Sequence, residues 1–67
     1  MTKTQLSNIL NLGFINVSQL ERDAGLNVGT LKRWKRRFDV DRAAGMHPDN
    51  FQAIQEKLEF YKKMLDI

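Results

Sequence analysis

Cysteine is absent from the 67-residue chain, and histidine and proline occur once each. These gaps exclude a disulfide framework, a thiolate metal site, a redox pair, a cysteine nucleophile and a histidine-rich metal cluster. Long apolar runs are missing too. None approaches the roughly 18 residues a membrane span needs, and MTKTQLSNIL lacks the charged-then-apolar layout of a secretory signal. A cytoplasmic protein with no membrane partner is the expectation. A chain this short buries only about 60% of the surface its unfolded form exposes. Stability must then come from well-packed helices, a partner chain, or both.

Acidic residues are in the minority, 8 against 11 Lys and Arg, and the surplus is local. Residues 1–46 hold eight Lys/Arg and four Asp/Glu, whereas residues 47–67 hold three and four. The densest stretch is Lys32, Arg33, Lys35, Arg36 and Arg37, broken only by Trp34. Such a cluster suits a solvated helix face, a nucleic-acid footprint or an anionic membrane surface, and its position on the element must decide.

Gly13, Gly25, Gly29, Gly45 and Pro48 punctuate the chain, and four helices fit between them. Thr2 with Gln5 forms a capping box opening the first helix, which Gly13 ends, with Leu6, Ile9 and Leu10 as its inner stripe. Phe14, Ile15 and Val17 form an apolar connector. Ser18 with Glu21 reads as a second capping box, opening a short helix to about Ala24 with Leu20 and Ala24 facing inward. Asn27 then serves as N-cap of a third helix from Val28 to about Phe38. Its core stripe is Leu31, Trp34 and Phe38. Residues 39–47 read as a loop, unless the helix runs on and lets Arg37 pair with Asp41. Pro48 and Asp49 suit a helix start, and Phe51, Ile54, Leu58, Tyr61 and Leu65 then recur through a long C-terminal helix over 48–66.

Two short helices joined by a glycine-containing turn make a helix-turn-helix when their apolar positions meet. Leu20 and Ala24 can face Leu31 and Trp34, with Gly25 adopting a positive φ. Stepping about 100° per residue puts Gly29, Lys32, Arg33 and Arg36 opposite the stripe. The expected fold is therefore all-α: one helix-turn-helix domain over 1–67, with the motif at 17–37.

The segment SQLERDAGLNVGTLKRWKR, Ser18 to Arg36, resembles the helix-turn-helix of the lambda-repressor-like (Cro/repressor) family. Leu20, Gly25, Leu26, Leu31 and Trp34 match that family's pattern in order. The resemblance implies a sequence-specific binder of double-stranded DNA, a phage-type or mobile-element repressor, nucleoid-associated in a bacterial host. A recognition helix in the major groove contacts bases from its N-terminal half, so Asn27, Val28, Gly29, Thr30, Lys32 and Arg33 are the candidate base contacts. Gly29 is read as allowing close backbone approach to a base or phosphate. Lys35, Arg36, Arg37 and Arg42 are the candidate phosphate anchors, joined by Ser18 and Gln19 at the preceding helix start.

Other residues carry plainer expectations. Trp34 belongs to packing by its spacing from Leu31. His47, before Pro48, is a cap or loop residue. Asp39 with Asp41, and Glu56 with Glu59, sit beside Lys and Arg as surface ion-pair partners. No enzyme, cofactor or small-molecule substrate is expected. Phe60, Met64 and Ile67 form an extra apolar edge suited to a homodimer contact. The competing functional readings are a protein-interaction module, such as an antirepressor or an inhibitor of a nucleic-acid enzyme, and the DNA-binding half of a longer repressor.

Overall fold

Thr2 closes the amino end of the first helix, α1 (Lys3–Asn11), by the expected capping box. Its hydroxyl accepts the Gln5 N–H at 3.1 Å, and the Gln5 side-chain oxygen accepts the Thr2 N–H at 2.8 Å. The computed structural model describes residues 1–13 and 15–65. Phe14 of the expected connector, Asp66 at the expected helix end and Ile67 of the apolar edge lie outside the described residues. Every regular element described is helical: α1, α2 (Val17–Asp23), α3 (Thr30–Val40) and α4 (Pro48–Leu65). Among the described residues the fold is thus all-α, with four helices and a long last one, as the sequence predicts. Among the described residues, no helix is long and apolar enough to cross a membrane, and no group of His, Asp and Glu could hold a metal ion.

One core joins all four helices. Leu6 and Leu10 come from α1, Leu20 from α2, Leu31, Trp34 and Phe38 from α3, and Ile54 from α4. Burying each such side chain stabilises the fold by about 1.5–3 kcal/mol. The Trp34 and Phe38 rings stack with centroids 4.9 Å apart, so the tryptophan is a packing residue as its spacing predicts. Ile15, Val17, Ala24, Leu26, Phe51, Leu58 and Tyr61 are partly buried against this core. Leu65 departs from expectation. It continues the α4 periodicity but is 82% exposed.

Three local assignments are corrected. The α2 cap is Asn16, whose side-chain oxygen accepts the Gln19 N–H at 3.1 Å, so Ser18 is the second helical residue rather than the cap. Glu21 does not turn back to close a capping box. It is buried and reaches the start of α3 instead. Helix α3 begins at Thr30, not Val28, and Asn27 is not its N-cap. The Asn27 carbonyl accepts the Thr30 N–H at 3.1 Å, closing a tight turn in which Gly29 has φ 85° and ψ −5°. Those angles fit the third residue of a type II turn, where an L side chain is disfavoured.

The break at Gly25 behaves as predicted, whereas the expected loop over 39–47 begins only at Asp41. Gly25 has φ 75° and ends α2. The Gly25 N–H donates to Arg22 and the Leu26 N–H to Glu21, the paired bonds of a Schellman stop. Helix α3 runs two residues beyond Phe38, and Asp41 caps it in an extended conformation. Asp41 accepts the Ala43 N–H at 2.9 Å instead of pairing with Arg37. His47 accepts the Asp49 N–H at 3.1 Å and so acts at the start of α4, as its place before Pro48 suggests.

Candidate nucleic-acid interface

The candidate surface is built by the two opposite faces of α3. Leu31, Trp34 and Phe38 are buried, which turns Lys32, Arg33, Arg36 and Arg37 to solvent. Asn27 and Val28 are exposed on the turn ahead of the helix, and Gly29 and Thr30 are half-buried. The expected base-contact residues thus run from the turn into the first turn of α3, with Asn27, Val28, Lys32 and Arg33 exposed.

Lys32 is oriented by a neighbour. Its ammonium donates to the Ser18 hydroxyl at 2.8 Å, linking α3 to α2 across fourteen positions. Two residues expected in different roles, one at bases and one at phosphate, thus share a single polar point. Gln19 is less available than the sequence suggests. Its N–H is taken by Asn16, its amide nitrogen donates to Asp23 at 2.8 Å, and its oxygen accepts from Arg22 at 3.2 Å.

Arg33, Arg36 and Arg37 line an open concavity of about 1000 Å³ together with Thr30, Val40, Asp41 and Ala44. Its walls come from α3 and the turn that follows. The remaining cations are partly engaged. Lys35 is half-buried and pairs with Asp39 at 3.4 Å, and Arg42 lies over the Phe38 ring at 4.7 Å from its centroid. Arg42 thus sits beside the end of α3 as a cation over an aromatic face, a contact worth about 0.5–1 kcal/mol at an exposed site.

Two residues that position this surface escaped the sequence reading. Glu21 accepts the Leu31 N–H at 2.7 Å from within the core, supplying to α3 the cap its own Gly29 cannot provide. A carboxylate here also answers the positive end of the helix dipole. Its other oxygen is buried with no hydrogen-bond partner among the described residues. Tyr61 on α4 donates its hydroxyl to the Asp23 carboxylate, fastening α4 to the end of α2. That hydrogen bond, aided by one from Gln19, holds the Asp23 carboxyl below its ordinary range. Burial, reinforced by Asp23, pushes the Tyr61 hydroxyl up to about 12. A tyrosine at a core-stripe position signals packing, and nothing local in the sequence pairs it with Asp23.

The arrangement offers fixed positive charge, hydrogen-bond donors and an uncharged leading turn on one accessible helix. It defines a small all-α domain that presents a cationic helix behind a glycine turn. No protein-family model, curated protein or solved structure matches the chain.

Proposed function

We propose that the chain is a sequence-specific binder of double-stranded DNA that regulates transcription, with α3 lying in the major groove. One observation carries the reading: Lys32, Arg33, Arg36 and Arg37 lie on the exposed face of α3 while its apolar stripe is anchored in the core. A groove-reading helix needs that division. Arg33, near the start of α3, is assigned to a base edge, where a guanidinium can donate two bonds to guanine. Arg36 and Arg37 are assigned to phosphates along the flank. Lys32 moves to the backbone group, because its bond to Ser18 holds the ammonium against α2.

The proposal extends to a two-fold assembly. Phe60 and Met64 are 54% and 57% exposed on α4, with Leu65 beside them. A homodimer through this edge would repeat the recognition helix on one face of the duplex, with half-sites about 34 Å apart. The regulator so described acts as a repressor by occluding promoter DNA, in the manner of phage-type repressors that the Ser18–Arg36 segment resembles.

Selection of bound duplexes from a random pool is the direct test. A recovered consensus whose affinity falls with salt, by about 0.9 in log–log slope per phosphate contact, is the expected result. Salt-insensitive binding to a protein, unaffected by Arg33→Ala and Arg36→Ala, would replace this reading with that of an interaction module. Sedimentation of the wild type beside Phe60→Glu and Met64→Glu tests the dimer. A wild type monomeric at micromolar concentration removes it.

A further inference from the structure

Val28 is 86% exposed at the tip of the turn that leads into α3. Exposure alone distinguishes nothing, since single apolar residues are common on protein surfaces. Three features set this valine apart.

Its backbone is held. The Asn27 carbonyl accepts the Thr30 N–H, and Gly29 takes the left-handed conformation that a type II turn demands after its second residue, which is Val28. A β-branched side chain on a fixed backbone has few rotamers left to lose. The methyl groups of Val28 are therefore presented in advance, with little ordering left for a partner to impose.

Its surroundings disfavour phosphate. Asn27, Val28, Gly29 and Thr30 carry no charge, and the cations begin at Lys32. The Thr30 N–H is occupied by the Asn27 carbonyl and the Leu31 N–H by Glu21. The Glu21 carboxylate, moreover, already offsets the positive end of the helix dipole. An anion arriving at this end would find those two donors taken and a buried negative charge behind them.

Its chemistry is narrow. A valine side chain offers only apolar contact. On the major-groove edges of the base pairs, the apolar group is the methyl at pyrimidine C5. Resting on the DNA-binding reading above, we infer that Val28 reads a C5-methylated pyrimidine in the major groove and contributes sequence specificity without a hydrogen bond. Thymine and 5-methylcytosine share this chemistry.

Methyl scanning of the selected duplex tests the assignment. Each thymine is replaced in turn by deoxyuridine, which removes only the methyl, and each cytosine by 5-methylcytosine, which adds one. The expected result is a position where losing the thymine methyl weakens wild-type binding about fourfold, the effect of burying one such group. If the methyl belongs to cytosine, methylation at one position strengthens binding by a similar factor. In Val28→Ala the same exchange has no effect, while circular dichroism stays that of the wild type. Intact duplex binding with no Val28-dependent methyl effect in either scan overturns the assignment and leaves the DNA reading standing. Failure to bind any duplex overturns both.

Discussion

The carboxylate of Glu21 on α2 accepts the backbone N–H of Leu31 on α3 at 2.7 Å, and both residues are buried. The bond spans ten positions and joins the two helices that frame the turn. Gly29, as N-cap of α3, has no side chain to satisfy the free N–H groups of the first helical turn. Glu21 does so from the neighbouring helix. The bond ties the start of α3 to α2, while the buried stripe of Leu31, Trp34 and Phe38 turns the cationic face outward.

Removing that acceptor should cost stability. A hydrogen bond to a charged group contributes about 1.5–3 kcal/mol, and an orphaned buried N–H adds to the loss. Glu21→Ala is expected to destabilise the fold by about 2–4 kcal/mol, a large share of what a chain of this length possesses. Glu21→Gln keeps a carbonyl acceptor and should retain more than half of the lost stability. Urea unfolding of the three proteins is the measurement, and equal midpoints would refute the role.

Gly29 offers a cleaner test of backbone conformation. A Cβ there meets nothing within 4 Å, so the demand for glycine comes from its φ of 85° and not from crowding. The expectation of close approach to a base is unnecessary to explain it. Gly29→Ala should destabilise by about 1–2 kcal/mol. D-alanine at the same position, introduced by chemical synthesis, should instead stabilise by about 0.4–1 kcal/mol, because positive φ suits it and the unfolded chain loses freedom. Thermal midpoints should move in opposite directions by a few degrees.

These two residues also mark how far the sequence could be read. The α1 capping box, the turn at Gly25 and the Leu31, Trp34, Phe38 stripe obey rules spanning three to seven residues, and all are present. Ser18 with Glu21 carries the same local signature as a capping box, yet the carboxylate serves a partner ten residues away. Asn16 takes over as cap because α2 starts two residues earlier than a Ser18 cap would require. Asn27, a residue type favoured at N-caps and placed just ahead of the α3 stripe, looks like an N-cap, but the turn it closes with Gly29 delays the helix to Thr30. The cationic face was legible because it depends on helical periodicity alone. The Lys32–Ser18 bond, the placing of Arg42 over Phe38 and the Tyr61–Asp23 link depend on how helices meet, which periodicity does not encode.

The Tyr61–Asp23 link makes stability depend on pH at both extremes. Asp23 has its pKa lowered from 3.8 by folding, so its contribution is present above that value and is lost as pH falls through the depressed one. Tyr61 is raised from 10.0 to about 12, so its contribution is complete below pH 10 and declines as pH rises toward 12. Tyr61→Phe should remove the alkaline dependence and reduce the acid one without abolishing it, because Gln19 still donates to Asp23. Denaturation midpoints across pH, wild type against variant, provide the check, and parallel curves at all pH values would count against the link.

Substitutions on α3 should separate by position along the helix. Arg33→Ala is expected to weaken binding to the selected duplex by about 1–3 kcal/mol and to relax preference at one base position. Arg36→Ala, Arg37→Ala and Lys32→Ala should weaken binding to selected and random duplexes alike, each reducing the salt slope by about 0.9. Lys32 carries the sharper contrast, because a base contact would make its loss specific whereas the bond to Ser18 assigns it to the backbone. Ser18→Ala should then mimic part of the Lys32→Ala effect, and the double variant should lose less than the sum of the two, since both remove one shared anchor. Affinities measured on both duplexes across a salt series decide it. A Lys32→Ala loss confined to the selected duplex would return Lys32 to the base-reading group.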